Sequence, residues 1–261
     1  MPAVALSIAG SDPSGGAGIQ ADLKTFHQFG VYGEAVITLI TVQNTRRVSR
    51  VEILAADLVA QQIEAVLEDI PPAAAKTGAL GSIEIIEVIA ALVQKFSFPL
   101  VVDPVMISKH GAPLLAAEAQ HALKHKLLPH AFLVTPNIPE AEVLTGLRIE
   151  SEEDMAQAAE HIRDFGCKAV LVKGGHRTGD AVDILSAPEL HKRFSQPRTM
   201  SRNTHGTGCT LSAAITAMLA RGDGLAAAVE RAKLYLSSAI QRAPNLGQGC
   251  GPLNHFAQTA G

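Results

Sequence analysis

Short apolar runs alternate along the chain with longer amphipathic segments. The short runs predict β-strands at residues 4–9, 35–42, 73–77, 100–103, 132–135, 169–173 and 181–185. The amphipathic segments predict helices at residues 18–29, 57–69, 82–96, 118–127, 152–165, 209–221 and 225–241. Strands that alternate with helices of this length predict an α/β fold, with a mostly parallel central sheet and helices on both of its faces. Without a linker, repeat or low-complexity segment, residues 1–261 are expected to form one domain.

The composition fits such a fold. Hydrophobic residues make up 47% of the 261 residues and charged residues 18%, so the chain can bury a large core and is not disordered. Aromatic residues make up only 4% and Trp is absent, so the core must be aliphatic. An aliphatic core suits parallel strands covered by helices better than a sandwich or a barrel.

Charge and cysteine content limit the partners and the compartment. A net charge of −3 and few aromatic side chains make nucleic acid an unexpected partner. Three cysteines without a C-x-x-C pair favour a reducing compartment over a disulfide framework. The N-terminus lacks the basic and long apolar regions of a signal peptide, and no stretch reaches the ~18 apolar residues that span a bilayer. A cytoplasmic protein without membrane association is therefore expected.

Polar residues cluster where predicted strands end, at residues 10–13, 43–45, 103–106 and 135–137. Open α/β sheets bind ligands at the carboxyl ends of their strands. Asp, Asn, Pro and Gly are also common turn residues, so any one cluster has a purely structural alternative. The recurrence of four clusters favours a ligand site.

The first of two glycine-rich segments runs from Gly15 to Ala21, after a strand and at the start of a helix. Gly16-x-Gly18-x-x-Ala21 matches a relaxed dinucleotide fingerprint. Two features argue against a dehydrogenase: the glycines lie too far from the strand, and the second strand lacks a following acidic residue. The loop is instead expected to let backbone approach a small ligand, with Asp22 projecting from the helix. Alternatively, Asp22 is only a favourable charge near a helix N-terminus.

The second segment, residues 203–210, precedes a long helix rich in small residues. Gly206–Cys209 would form an anion hole for a transferring phosphoryl group, since helix N-termini present free N–H groups and partial positive charge. The same position is expected to lower the pKa of the Cys209 thiol. The alternative is a packed, inert cysteine. Because G-x-x-x-x-G-K-[ST] is absent, the chain is not a P-loop NTPase.

Two further groups fit phosphoryl transfer. Asn137 and Glu140 place two oxygen ligands one helical turn apart, a spacing suited to Mg²⁺ held mainly through water, and Asp103 could join them. The same spacing fits a helix-capping box. Lys173-Gly174-Gly175-His176 ends another strand with a cation and two glycines. This motif suits contact with nucleotide phosphates, or simply a tight turn.

Taken together, these segments resemble the ribokinase superfamily, and within it the hydroxymethylpyrimidine/phosphomethylpyrimidine kinases. The resemblance covers nearly the whole chain. It rests on AGSDPSGGAGIQAD at 9–22, VQNT at 42–45, KTG at 76–78, DPVM at 103–106, TPNxxE at 135–140, KGGH at 173–176 and HGTGCT at 205–210. Most sugar kinases of the superfamily carry Asp where this chain has Cys209, which favours the vitamin-kinase branch. The chain departs from the usual pattern at Ala79, at residues 108–112 and at residues 249–255.

The resemblance implies a ribokinase-like fold, possible homodimerisation and ATP-dependent, Mg²⁺-assisted phosphorylation. The substrates would be 4-amino-5-hydroxymethyl-2-methylpyrimidine and then its monophosphate, in thiamine biosynthesis. Carried over by position, Gln43, Asp22 and Gly10 would bind the pyrimidine, and Lys173 and Thr204 would contact ATP. Cys209 would take the hydroxyl proton or orient the hydroxyl, beside the N–H groups of Gly206, Thr207 and Gly208. Asp103, Asn137 and Glu140 would organise Mg²⁺.

Two other functions remain open. A pyridoxal kinase would use the same fold on another small heteroaromatic with a hydroxymethyl group, but Gln43 and Asp22 favour the aminopyrimidine. A non-catalytic protein that binds the pyrimidine is the second alternative. The set of Cys209, Asp103 and Glu140 argues against it, because a mere binder needs no anion hole beside a metal site.

Overall fold

The structure is a computed structural model that describes residues 1–108, 111–116, 118–175 and 179–258. Within these residues the chain forms one sheet of nine strands, in the order β3-β2-β1-β4-β5-β6-β7-β8-β9. The strands are β1 Val4–Ser11, β2 Tyr32–Asn44, β3 Arg47–Ile53, β4 Ala74–Thr77, β5 Leu100–Val102, β6 Leu133–Val134, β7 Ala169–Lys173, β8 Ala181–Ala187 and β9 Leu190–Gln196.

Six adjacent strands, β2, β1 and β4 to β7, run parallel, which confirms the predicted sheet. β3, β8 and β9 extend the two edges in antiparallel pairs. The sequence reading missed β3 and β9 because both are polar: β3 carries Arg47, Arg50 and Glu52, and β9 contains His191, Lys192 and Arg193. Edge strands keep such charges in water while their backbones pair with one neighbour.

Helices cover both faces of the sheet, as predicted. They are α1 Gly18–Gln28, α2 Ala56–Asp69, α3 Ile83–Val93, α4 Ala119–Ala122, α5 Ile138–Thr145, α6 Glu152–Arg163, α7 Thr207–Ala220 and α8 Leu225–Gln241. One aliphatic core lies under α2 to α6 and the other under α1, α7 and α8. The helix predicted at 118–127 is α4, followed by a wider turn at Leu123–Leu127. α5 lay outside the predicted ranges, since two turns are too short for a clear periodic pattern.

The parallel strands bring the predicted ligand segments to one edge of the sheet. β1, β2, β4, β5, β6 and β7 all end at this edge, so residues 10–13, 43–45, 78, 103–106, 135–137 and 173 meet there. α7 is almost entirely buried, and its Ala, Ser and Thr side chains let it pack closely against β1, β4 and β5. Its N-terminus therefore lies at the same edge.

All three cysteines are free thiols: Cys167 is buried, while Cys209 and Cys250 are half-buried. Among the helices in the described part of the chain, none combines the length and apolar character that crossing a bilayer requires.

Candidate active site

A cavity of about 460 Å³ opens at this edge of the sheet. Its lining contains every predicted site residue except Asp22: Gly10, Gln43, Asp103, Asn137, Glu140, Lys173, Thr204, Gly206, Thr207, Gly208 and Cys209. These residues come from five strand ends, the first turn of α5 and the segment that leads into α7, and they are separated by up to about 200 positions in sequence. The structure therefore brings the two glycine-rich segments and the polar strand ends into one site of a size suited to small molecules.

Asp22 differs from the expectation that it lines the cavity. Its carboxylate is fully buried below the floor, accepts a hydrogen bond from Ser7 Oγ at 2.6 Å and pairs with Lys76 Nζ at 2.9 Å. Lys76 is also fully buried, and its Nζ would lie 3.4 Å from a Cβ placed on Gly78 of the cavity lining. Asp22 and Lys76 thus form a buried ion pair beneath the site. The sequence reading missed Lys76 as a partner, although a lysine inside an apolar strand signals a paired charge.

The two glycine-rich segments touch each other at the start of α7. Gly206 precedes α7 with a positive φ of 80°, and a Cβ there would lie only 1.8 Å from the backbone oxygen of Gly16. Only glycine allows this approach. The first N–H groups of α7, from Thr207 onward, have no acceptor within the helix and face the cavity with the positive end of the helix dipole. The Thr207 N–H also lies 3.4 Å from the Thr204 carbonyl oxygen. The position of these groups agrees with the predicted anion hole, whose binding of a phosphoryl group stays a prediction.

The expected thiolate character of Cys209 is wrong. Burial raises the pKa of the Cys209 thiol to about 12; the Lys76 ammonium opposes the shift, and the Asp22 and Asp103 carboxylates add to it. The helix N-terminus does not outweigh these effects. At neutral pH, Cys209 is therefore a neutral thiol on the cavity wall that can donate or accept a hydrogen bond.

Asp103 and Lys173 form an ion pair at the cavity, with 2.9 Å between Asp103 Oδ1 and Lys173 Nζ. The hydroxyls of Thr135 and Ser212 also donate to the Asp103 carboxylate, each at 3.3 Å. Burial alone would lower the pKa of Lys173, but the Asp103 and Glu140 carboxylates raise it above its ordinary value. Lys173 is therefore a permanent positive charge beside the N-terminus of α7.

Asn137 and Glu140 form the capping box of α5. The Glu140 N–H donates to Asn137 Oδ1 at 2.9 Å, and the Asn137 N–H donates to Glu140 Oε2 at 2.8 Å. The structural alternative is therefore present, yet both residues also line the cavity. Burial raises the pKa of Glu140 to about 7, with Lys173 opposing and Asp103 adding to the shift.

Within the described residues, no cluster of three or more His, Cys, Asp or Glu side chains could hold a metal by itself. The Asp103 carboxylate still raises the pKa of Glu140 by disfavouring its negative charge, an effect that a cation between the two residues would relieve. Mg²⁺ commonly binds to one or two carboxylates, with water and substrate phosphates as its other ligands. The residues present fit that mode of binding.

Asp12 and His205 are site residues that the sequence reading did not single out. His205 Nε2 lies 2.7 Å from Asp12 Oδ2 and 3.1 Å from Gln43 Nε2, and all three residues line the cavity. Asp12 stands inside the first glycine-rich motif and His205 directly precedes Gly206. A buried acidic residue and a histidine within glycine-rich loops could have signalled their contact.

The segments that depart from the usual family pattern lie partly at the cavity. Ala79 and Ser108 line it, whereas residues 109–110 of the 108–112 segment lie outside the described residues. His176, from the Lys173-Gly174-Gly175-His176 motif, also lies outside them. In the C-terminal segment, His255 is buried and contacts Thr210 of α7, so it supports the helix from outside the cavity.

Comparison with known proteins identifies the family. The phosphomethylpyrimidine kinase family model matches residues 12–254, nearly the whole chain. The chain belongs to this family. A hydroxymethylpyrimidine/phosphomethylpyrimidine kinase of Staphylococcus aureus is 47% identical over 260 residues, covering 98% of this chain and 94% of the relative. The thiamine biosynthesis bifunctional protein ThiED of Geobacter sulfurreducens is 51% identical over 96% of this chain, which spans about half (52%) of that longer protein.

Solved structures of family relatives show the same fold, which is ribokinase-like as the resemblance implied. The phosphomethylpyrimidine kinase of Clostridium difficile is 50% identical, covering 91% of this chain and 99% of that one, with a TM-score of 0.82. The pyridoxal kinase of Staphylococcus aureus, in complex with AMP-PCP and pyridoxal, is 37% identical, covering 98% and 95%, with a TM-score of 0.90. The family assignment makes this chain a kinase, a phosphotransferase.

Proposed function

We propose that the chain uses ATP to phosphorylate the 5-hydroxymethyl group of 4-amino-5-hydroxymethyl-2-methylpyrimidine and then phosphorylates the resulting monophosphate to the diphosphate. The observation that carries this proposal is the composition of one cavity. Gln43 lies on its wall together with the N-terminus of α7 and the Asp103–Lys173 pair. A ring-recognition group and a phosphoryl-stabilising group therefore face the same space, as transfer between two bound molecules requires.

Gln43 and the glycine backbone would recognise the pyrimidine. A side-chain amide offers one acceptor and one donor group, which match the amino group and the adjacent ring nitrogen of the substrate. Gly10 also lines the cavity, and it would offer only its backbone to the ring, since a Cβ there would collide with the Leu39 side chain at 2.5 Å. Since the chain has no Trp, edge hydrogen bonds and close backbone approach would replace a large stacking surface.

The α7 N-terminus and Lys173 would hold the phosphoryl groups. The N–H groups of Gly206, Thr207 and Gly208 would bind the oxygens of the transferring group, where negative charge is concentrated. Lys173 and Thr204, which both line the cavity, would contact the ATP phosphates. Asp103, Asn137 and Glu140 would hold Mg²⁺ largely through water; when bound, this ion neutralises phosphate charge. The pyridoxal kinase of Staphylococcus aureus, which has the same fold, was solved with the ATP analogue AMP-PCP. That complex supports ATP as the phosphoryl donor here.

Cys209 would orient the substrate hydroxyl through a hydrogen bond. The hydroxyl oxygen attacks the γ-phosphorus as the bond from that phosphorus to the β-phosphate bridging oxygen breaks, which releases ADP. In a loose transition state the hydroxyl can keep its proton until late and then pass it to an oxygen of the transferred phosphoryl group, so a neutral thiol is sufficient. The high pKa of Cys209 favours this orienting role over that of a strong base.

Pyridoxal phosphorylation is the second candidate function. It is supported by the 37% identity and the TM-score of 0.90 to a pyridoxal kinase solved with pyridoxal. The relatives named for the pyrimidine are more similar in sequence, at 44% to 51% identity. The pyrimidine is therefore the preferred substrate of the proposal.

A coupled ADP-release assay with the aminopyrimidine, its monophosphate and pyridoxal tests the proposal. The expected result is a higher kcat/KM for both pyrimidines than for pyridoxal. Gln43→Ala should raise KM for the pyrimidine with a smaller change in kcat, because it removes edge contacts made in the ground state. Gln94→Ala, an exposed glutamine after α3, is the matched control and should change neither constant. An unchanged KM in Gln43→Ala would remove Gln43 from substrate binding.

A further inference from the structure

Asp12 holds the first glycine-rich loop in place. Its Oδ1 accepts from the Ser14 N–H at 2.8 Å and the Ser14 hydroxyl at 2.7 Å. Its Oδ2 accepts from the N–H groups of Gly16 at 3.2 Å and Ala17 at 2.9 Å. Burial alone would raise the pKa of Asp12, but its hydrogen bonds with His205 and Ser14 lower it below the ordinary value. Asp12 is therefore an ionised carboxylate, which can only accept hydrogen bonds.

This carboxylate determines which nitrogen of His205 carries a proton. His205 belongs to the second glycine-rich segment and is almost completely buried. Its Nε2 lies 2.7 Å from Asp12 Oδ2. A bare Nε2 lone pair at this distance from a carboxylate oxygen would be repelled, whereas a protonated Nε2 donates a short, charge-assisted hydrogen bond. Nε2 of His205 is therefore a donor, whether the ring is neutral or charged.

A donor at Nε2 has a consequence for Gln43. The Gln43 amide has its nitrogen 3.1 Å from His205 Nε2 and its oxygen 3.3 Å from the Thr41 hydroxyl. Two N–H donors do not bond to each other, and the oxygen and nitrogen of an amide are assigned by their partners. The Thr41 hydroxyl already donates to the Ser11 carbonyl at 2.9 Å, so its oxygen is free to accept. Turning the amide over places its nitrogen toward the Thr41 oxygen and its oxygen toward His205 Nε2–H. The single hydrogen on Nε2 then bonds mainly to Asp12 Oδ2 at 2.7 Å and is shared with the Gln43 oxygen in a weaker three-centre contact.

We propose that Asp12 and His205 are positioning residues that fix the polarity of the Gln43 amide, and thereby make the cavity selective for a ring edge that pairs an amino donor with an acceptor nitrogen. This inference rests on the proposed function, because it assigns Gln43 to the pyrimidine edge. After the contacts to His205 and Thr41, the amide keeps one oxygen lone pair and one N–H for a ligand. The amide oxygen and nitrogen of Gln43 cannot exchange positions without breaking the contacts to His205 and Thr41.

The polarity matters because a pyrimidine with the opposite edge has nearly the same shape. In the 4-oxo analogue, 5-hydroxymethyl-2-methylpyrimidin-4-one, a carbonyl oxygen replaces the amino group and the adjacent ring nitrogen carries a hydrogen. A fixed amide would then face oxygen with oxygen and N–H with N–H. A free amide could turn over and accept either ring. Sites built to hydrogen-bond one edge can reject the wrong one by about 10⁴-fold.

The first experiment measures kcat/KM for the amino and 4-oxo pyrimidines in the wild type, in His205→Phe and in His255→Gln. We expect the wild type to prefer the amino ring strongly and His205→Phe to reduce this preference at least about tenfold, because the amide is then free to turn. His255→Gln changes a buried histidine that contacts Thr210 of α7 and should leave the preference unchanged. An unchanged preference in folded His205→Phe would overturn the proposal.

The second experiment does not depend on substrate, and it uses a variant only to assign one signal. A long-range ¹H–¹⁵N correlation spectrum of the histidine side chains in the wild-type protein, assigned by loss of one signal in His205→Phe, reports the tautomer of His205. A proton on Nε2 is expected, and a bare Nε2 would overturn the proposal. If the wild type phosphorylated neither pyrimidine, the proposed function would fail, while this spectrum would still decide whether His205 can hold the Gln43 amide.

Discussion

The contact between the two glycine-rich segments makes Gly206→Ala a direct test of the anion hole. A Cβ on Gly206 would lie 1.8 Å from the Gly16 carbonyl oxygen, whereas real Cβ contacts essentially never fall below 3.0 Å. The two segments must therefore separate by more than about 1 Å. Such a displacement moves the first N–H groups of α7 relative to the rest of the cavity. Misplacement on the order of 1 Å can cost about 100-fold in rate, so kcat should fall by at least that factor.

Gly222→Ala is the matched control at the other end of α7. Gly222 also has a positive φ, 88°, but a Cβ there would meet no atom within 4 Å. Both substitutions carry the left-handed backbone cost of about 1–2 kcal/mol, and only Gly206→Ala adds the clash. Unfolding in urea should therefore show a loss of about that size for Gly222→Ala and a larger loss for Gly206→Ala.

The steady-state assay separates damage to the site from loss of stability. Gly222→Ala should keep a kcat close to that of the wild type at a temperature where both variants are folded, as circular dichroism can verify. If Gly206→Ala kept kcat within about threefold of the wild type, the geometry of the α7 N-terminus would not be what stabilises the transferring group.

Three further predictions concern the buried charges and the thiol. Cys209→Ala should lower kcat by about 100-fold with little change in KM, because the hydroxyl loses its orienting partner, and Cys209→Ser should restore part of the rate; equal kcat values for wild type and Cys209→Ala would contradict this. Lys76→Met should destabilise the fold by about 3–5 kcal/mol in urea unfolding, since it leaves the Asp22 charge buried alone, and adding Asp22→Asn should recover much of the loss. Recovery would be absent if the two residues did not act as a pair. Glu140 has a pKa of about 7 in the folded protein, above its ordinary value of 4.5, so the stability from its protonated form is present at pH 4.5 and is lost as pH rises through 7. Urea unfolding with a metal chelator should therefore show that Glu140→Gln reduces the fall in stability between pH 4.5 and 8 by about 3 kcal/mol; an identical fall in both proteins would refute the assignment.

Much of the fold could be predicted because its central strands are buried on both faces. Runs such as 100–102 and 169–172 are continuously apolar for that reason, and the sheet direction followed from the helices between them. β3 and β9 lie at the two edges of the sheet, where each strand pairs with only one neighbour. Charged side chains are tolerated there because they remain in contact with water. Their hydrophobic pattern therefore carried too little information.

The site could be predicted as a set of segments but not as a set of contacts. The strand ends and the start of α7 met as expected, because parallel topology requires it. Local sequence could not show that Asp22 lies beneath the cavity with Lys76, since the two residues are 54 positions apart and meet only through the tertiary fold. The pKa of Cys209 likewise depends on burial and on two distant carboxylates, which outweigh the local helix dipole. The homodimer stays a prediction.

The most direct test of the central claim follows both phosphoryl transfers in one reaction. The purified protein is incubated with the aminopyrimidine, ATP and Mg²⁺, and products are followed by ³¹P NMR over time. We expect a monophosphate ester signal that rises first and then falls as the two signals of a pyrimidine diphosphate appear, with ADP released at each step. Absence of any phosphorylated pyrimidine, in a preparation that converts pyridoxal to its phosphate with the same ATP, would contradict it.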